Sequence, residues 1–126
     1  MAASTMLLRY NFYSDPRGYG FQVLTANEGA GRFTGKYQTP GAIPVDISGG
    51  FHIDNSRQVT QLNFTAGPNK FELEAPYKNG APNYEVWNGN RIVSDGGDFP
   101  VSVKFVAREE AKHVMANTYN LQGLNT

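Results

Sequence analysis

The chain has 126 residues, with eleven Lys plus Arg balanced by eleven Asp plus Glu, and a formal net charge of zero. Its basic residues are scattered singly, which argues against a nucleic acid held by phosphate neutralisation and against a polybasic membrane surface. Cysteine is absent, so disulfides, thiolate metal sites and cysteine nucleophiles are excluded.

Composition shows no internal break, so residues 1–126 form one domain, large enough to bury a core. Fourteen Gly and seven Pro beside eight Phe and seven Tyr give the profile of many short strands joined by tight turns. Met1 to Leu8 holds a short apolar start without a preceding basic region, too short for a signal peptide or a membrane span. The expected location is therefore open between cytoplasm and a mature secreted form, and the ends, 1–5 and 121–126, are expected to fray.

In chain order, Met6–Tyr13 is expected as a first strand, stopped by the turn residues Ser14-Asp15-Pro16-Arg17-Gly18. Phe21–Thr25 and Arg32–Tyr37 alternate on either side of Ala26-Asn27-Glu28-Gly29-Ala30-Gly31, the pattern of a β-hairpin. Pro40-Gly41-Ala42-Ile43-Pro44 breaks the chain, because its prolines remove backbone donors that a central strand needs. Val45–Ile53 alternates again, with Val45, Ile47, Phe51 and Ile53 as inward candidates. Gly49-Gly50 within it marks either a bulge or a close approach of another backbone. A polar turn at Asp54–Arg57 leads to a strand over Val59–Thr65, and Ala66-Gly67-Pro68-Asn69 closes it.

Phe71–Ala75 alternates apolar and acidic residues, as a half-exposed strand does. After the turn Lys78–Pro82, Tyr84–Val93 is either one strand interrupted at Asn88-Gly89 or two short strands around a turn there. Ser94–Asp98 is a loop, and Val101–Ala107 is a strand with Val101, Val103, Phe105 and Ala107 on one face. Arg108–His113 spans under two helical turns and is expected as a connection, with Val114–Tyr119 as a last strand. Eight or nine short antiparallel strands at even spacing define an all-β fold, either a closed up-and-down barrel or a β-sandwich.

Signatures of an enzyme are missing. His52 and His113 are the only histidines, share no metal-ligand spacing, and His52 fits a half-exposed strand position better than a catalytic base. Asp95 and Asp98 lack the further carboxylates of a calcium loop and fit a solvated turn. Glu72 and Glu74 share one strand face, where carboxylates ordinarily meet solvent. No catalytic residue, metal or cofactor is therefore assigned. The aromatics Tyr10, Tyr37, Phe51, Phe64, Phe71, Tyr84, Trp87 and Phe105 fall within predicted strands. They either fill a core or line an apolar pocket that fixes a polar ligand head, and core filling is the simpler account.

The hairpin Gly31-Arg32-Phe33-Thr34-Gly35-Lys36-Tyr37-Gln38-Thr39 resembles that of the avidin/streptavidin family, in which a Gly turn leads into Gly-x-φ-Thr-Gly-x-Tyr-x-Ser/Thr. Tyr10-Asn11 stands where that family has Trp-Tyr-Asn, with Arg9 in place of the Trp. Ser48-Gly49-Gly50-Phe51 and Trp87-Asn88-Gly89-Asn90 resemble later family segments. The resemblance implies an eight-stranded barrel that binds biotin without catalysis. It implies that Asn11, Ser14, Tyr37, Thr39 and Asn117 hold the ureido head, with Asn83 and Glu85 near the tail and sulfur. Trp87 and Phe105 then form apolar walls, and Val101–Ala107 is the penultimate strand. It also implies a homodimer or homotetramer. Only one Trp is present where the family carries several, and residues 55–74 align in more than one way, with Phe64 or Leu73 at a usual Trp position. A weakened or altered pocket is therefore expected. The alternative is a carbohydrate-binding lectin or defence protein, using Asn88-Gly89-Asn90 and Asp95-Gly96-Gly97-Asp98 as its loops.

Overall fold

The structure, a computed structural model, describes residues 8–78, 81–94 and 96–106. These hold nine strands and no helix: β1 Phe12–Ser14, β2 Gly20–Asn27, β3 Arg32–Gln38, β4 Val45–Asp54, β5 Val59–Ala66, β6 Asn69–Lys78, β7 Ala81–Pro82, β8 Val86–Val93 and β9 Gly97–Val106. Each neighbouring pair is antiparallel, β6 pairs β8, and β9 returns to pair β1. The result is a closed, eight-stranded up-and-down barrel, with the two-residue β7 hydrogen-bonded only to the end of β6. Closure removes the free sheet edges that an open sheet of this size would expose.

The hairpin forms as its sequence predicts. Asn27 Oδ1 accepts the Ala30 N–H at 2.9 Å, and Gly31 takes a positive φ of 68° that an L side chain rarely adopts. The first strand is shorter than predicted. Leu8–Tyr10 form a turn in which Tyr10 has φ 68°, and the chain becomes a strand only at Phe12. Tyr10 N–H donates to Val23 C=O at 2.7 Å and Val23 N–H to Asn11 C=O at 3.0 Å, next to a register shift between Val23 and Thr25. Tyr84–Val93 resolves as one uninterrupted strand from Val86, so Asn88-Gly89 is not a turn. Of the predicted strand Val101–Ala107, the described part up to Val106 belongs to a longer strand that starts at Gly97 and closes the barrel on β1, so among the described residues it is the last barrel strand and not the penultimate one. The predicted segments Arg108–His113 and Val114–Tyr119, with Asn117, lie outside the described residues.

Alternation sorts the side chains by face. Thr34, Ser48, His52, Asn63, Glu72 and Asn88 point outward and are exposed, whereas Phe33, Phe51, Leu62, Phe64, Phe71, Leu73 and Trp87 point inward and are buried. Phe64 sits at the centre of the aromatic core, stacked on Phe71 at 4.8 Å between ring centroids, tilted against Phe21 at 5.5 Å and Tyr37 at 5.9 Å, and edge-to-face with Phe33 at 5.9 Å. Gly35, Gly49 and Gly89 occupy mid-strand positions on the same inward face. A Cβ there would run into the carbonyl oxygens of Gln22, Asn63 and Glu72 respectively. Of the two roles predicted for Gly49, close backbone approach is the one found, since the β4–β5 register runs through it without a bulge. Glycine at such points lets a small barrel bend sharply enough to close.

One end of the interior is packed by Leu8, Tyr13, Tyr84 and Trp87. Tyr84 stacks on Trp87 with the planes 4° apart, and Tyr13 meets the indole edge-on. The Tyr13 hydroxyl accepts from Asn11 Nδ2 at 3.1 Å, yet burial dominates and pushes its pKa up to about 12. The unfolded chain ionises this phenol near pH 10 and the folded chain does not, so the stabilisation is whole below pH 10 and is lost as pH rises towards 12. Denaturant melts should lose roughly 2–3 kcal/mol over that interval, and Tyr13→Phe should flatten the profile. An unchanged profile in Tyr13→Phe would assign the alkaline loss to another group.

Candidate functional site

In an up-and-down barrel alternate loops gather at one end, and here the β1–β2, β3–β4, β5–β6 and β8–β9 connections surround the end opposite Trp87. A cavity of about 220 Å³ opens there, somewhat below the roughly 300–1,000 Å³ common for drug-sized ligands. Phe21, Phe64, Phe71, Leu73, Val101 and Val103 form its apolar floor and walls, and Asp15, Arg17, Tyr19, Tyr37, Thr39, Asn69 and Arg91 supply its polar groups.

The β1–β2 loop is folded by Asp15. One carboxylate oxygen accepts the backbone N–H groups of Arg17 at 2.8 Å and Tyr19 at 3.1 Å, and the other pairs with the Arg17 guanidinium at 3.1 Å. Arg17 also lies over the Tyr19 ring, 4.6 Å from its centroid. Its charge is thus matched within its own loop.

Arg91 differs. On β8 it shares the inward face with Trp87 and Gly89, and it stands directly across from Phe71 on β6 and Phe99 on β9. Its Nη1 donates to Asn69 Oδ1 at 2.9 Å and its guanidinium covers the Phe99 ring at 4.7 Å. Among the described residues no carboxylate pairs with it. Tyr37 is buried on the facing wall, 5.1 Å from Phe71 between ring centroids. Burial raises the Tyr37 pKa, and the Arg91 charge is the strongest influence pulling it down. The Tyr37 hydroxyl makes no hydrogen bond among the described residues, so a donor and a cation face the same space.

The predicted site residues divide between the ends of the barrel. Tyr37 and Thr39 line the cavity. Ser14 lies beside it but does not line it, its hydroxyl donating to Asp15 C=O at 2.9 Å. Asn11 belongs to the packed end, bound to Tyr13. Trp87 is fully buried there and touches no part of the cavity. Its indole N–H is directed towards Tyr13 closely enough to favour the ionised phenol, but makes no hydrogen bond of normal geometry among the described residues. Asn83 and Glu85 are exposed on the approach to β8, with Asn83 Oδ1 accepting the Glu85 N–H at 3.1 Å, so the Glu85 carboxylate is not buried against a ligand. Phe105 is 40 % exposed and touches Tyr13 by its edge. Asn117 lies outside the described residues.

Sequence reasoning missed Arg91, Asn69, Asp15 and Arg17. For Arg91 a signal existed: a charge at an inward parity of a strand whose other inward positions are Trp87, Gly89 and Val93. The lectin alternative loses its first loop, because Asn88-Gly89-Asn90 is mid-strand, and the buried Trp87 presents no ring to a sugar. His52 lies exposed on the outside of β4, and among the described residues no cluster of His, Asp or Glu is arranged to hold a metal.

By architecture the chain is a closed antiparallel eight-stranded barrel with a cavity of about 220 Å³ at its mouth. Compared with protein-family models, curated proteins and solved structures, it matches none.

Proposed function

We propose that this protein is a non-catalytic binder of a small molecule, held in the mouth of the barrel much as avidin-like barrels hold theirs. The observation that carries this reading is the cavity itself. Elsewhere the described interior is filled mainly by rings and aliphatic chains, with Thr60 buried against the Tyr84 hydroxyl, whereas here an apolar floor ends in a few convergent polar groups, the usual composition of a ligand site. A barrel braced by continuous hydrogen bonding around its circumference offers a preformed pocket, and preorganisation reduces the ordering cost of binding. Among the described lining residues no nucleophile is hydrogen-bonded to a base, which favours binding over chemistry.

Biotin is the default probe from the hairpin resemblance, with Tyr37 and Thr39 as its polar contacts and an altered pocket in place of several Trp walls. Calorimetry with biotin and with small apolar compounds bearing one polar group tests the reading. Binding with Kd in the micromolar range or tighter, weakened about fivefold to tenfold by Tyr37→Phe, is the expected result. Absence of heat and of thermal stabilisation across the panel would contradict it.

A further inference from the structure

The polar groups of the mouth fix the chemical class of ligand, and this step rests on the small-molecule reading above. Among the described residues, three charged side chains line the cavity: Asp15, Arg17 and Arg91. Asp15 and Arg17 neutralise one another at 3.1 Å inside their own loop. Among the described residues, Arg91 is left as one uncompensated positive charge on the inner wall. Asn69 orients one of its nitrogens, and Phe99 covers one face of the guanidinium.

A guanidinium so held is poised, not stored away. Asn69 and Phe99 restrict its conformations while leaving N–H groups available, and both restraints reduce the entropy that a bound partner would otherwise have to offset. Across the cavity, the Tyr37 hydroxyl supplies a further donor without a partner among the described residues. Below these two groups the floor is wholly apolar: Phe21, Phe64, Phe71, Leu73 and Val103.

We infer that the site takes a small monocarboxylate with an apolar, preferably aromatic, body, its carboxylate on Arg91 and the Tyr37 hydroxyl and its body on the Phe64–Phe71 floor. A single excess positive charge matches a single negative one. A phosphate monoester, near two negative charges at neutral pH, would face the Asp15 carboxylate and lack a second free cation. A neutral polar head would leave the Arg91 charge without a counter-ion in a partly desolvated site, where matching it is worth most. The stacked pair Phe64–Phe71 and the volume of about 220 Å³ suit one ring and a short chain.

The test uses the full chain with 3-phenylpropanoate and its neutral twin 3-phenylpropanamide, followed by isothermal titration calorimetry at neutral pH and low salt. The carboxylate should bind about tenfold or more tightly than the amide, the amount expected for a charge-assisted hydrogen-bonded pair. Arg91→Met should erase that preference by weakening the carboxylate alone, and Arg17→Met should leave the preference within about twofold, since Arg17 is already paired. Arg91→Lys keeps the charge without the planar fork and should retain part of the preference, which also covers the case in which Arg91→Met does not fold. If the amide binds as tightly as the carboxylate, the anion assignment is wrong and the small-ligand reading survives. If both bind and Arg91→Lys or Arg91→Met leaves the preference intact, Arg91 is not the anchor and the inference falls. If neither compound binds, nor biotin, the small-ligand reading fails and this inference with it.

Discussion

Gly89→Ala and Gly49→Ala should each destabilise the barrel by about 3 kcal/mol or more, the size of a severe overpacking at a site that cannot relax. Both glycines face inward at mid-strand, Gly49 opposite Phe33 and Phe64, Gly89 opposite Leu73 and Val101. The atom a new methyl would strike is in each case a backbone carbonyl oxygen of the neighbouring strand, Asn63 for Gly49 and Glu72 for Gly89. A side-chain tip could rotate away. A carbonyl in a hydrogen-bonded ladder can move only by shifting the strand, and in a closed barrel every strand is tied on both sides. Urea denaturation is the appropriate measurement, with Ser48→Ala as the outward-facing control, expected within about 0.5 kcal/mol of the parent. A loss below about 1 kcal/mol for both glycine variants would mean that close strand approach is not what the glycines permit.

The second large effect is Trp87→Ala, expected to cost about 3–5 kcal/mol. Trp87 has no exposed surface, stacks on Tyr84 and receives the edge of Tyr13, so truncation empties the packed end of the barrel. Trp87→Phe should cost distinctly less, because among the described residues the indole N–H makes no hydrogen bond of normal geometry that the change would remove. The same pair of variants separates two roles for this side chain. A Trp that formed a ligand wall would alter affinity on replacement by Phe. Trp87 lies at the opposite end from the cavity, so Trp87→Phe should leave ligand affinity within about twofold while lowering the midpoint of unfolding.

The fold was legible where local rules agreed and no distant partner was needed. The hairpin at β2–β3 was clear because alternation, a Gly-rich loop and an Asn able to accept a loop N–H all agree. The limits of β1 and β9 were not, because each depends on a partner strand. Nothing in Met6–Tyr13 announces that Tyr10 adopts a left-handed backbone, since that conformation is set by hydrogen bonds to Val23, far away in sequence. The strand expected from Val101 in fact starts at Gly97 and runs through Pro100. Phe105 N–H donates to Glu85 C=O, so the even-numbered positions of β9 turn away from β8. On that other side β1 reaches only as far as Lys104, and the donor that Pro100 lacks has no described strand to meet.

The candidate site was half legible. Tyr37 and Thr39 came from the hairpin motif and do line the cavity. Asn11 and Trp87 came from the same resemblance and instead belong to the packed end, where Asn11 bonds Tyr13 and Trp87 stacks on Tyr84. Shared order along the chain does not tell which inward positions are filled and which are left open. That depends on ring sizes and on tertiary placement: Tyr13, Phe51 and Trp87 are fully buried in one half of the interior, whereas Arg91 lines the cavity in the other. Asp15 and Arg17 sit in a turn whose sequence, Ser14-Asp15-Pro16-Arg17-Gly18, equally suits a plain surface loop.

The most direct measurement is chemical-shift mapping of the ¹⁵N-labelled protein during titration with 3-phenylpropanoate and, separately, with biotin. The account places the ligand in the mouth of the barrel, so the largest shifts should fall on Tyr37, Thr39, Phe71, Arg91 and Val101, with the packed end around Tyr13, Tyr84 and Trp87 unmoved. Shifts confined to the polar outer face of β5, β6 and β8, or to the Trp87 end, would contradict it.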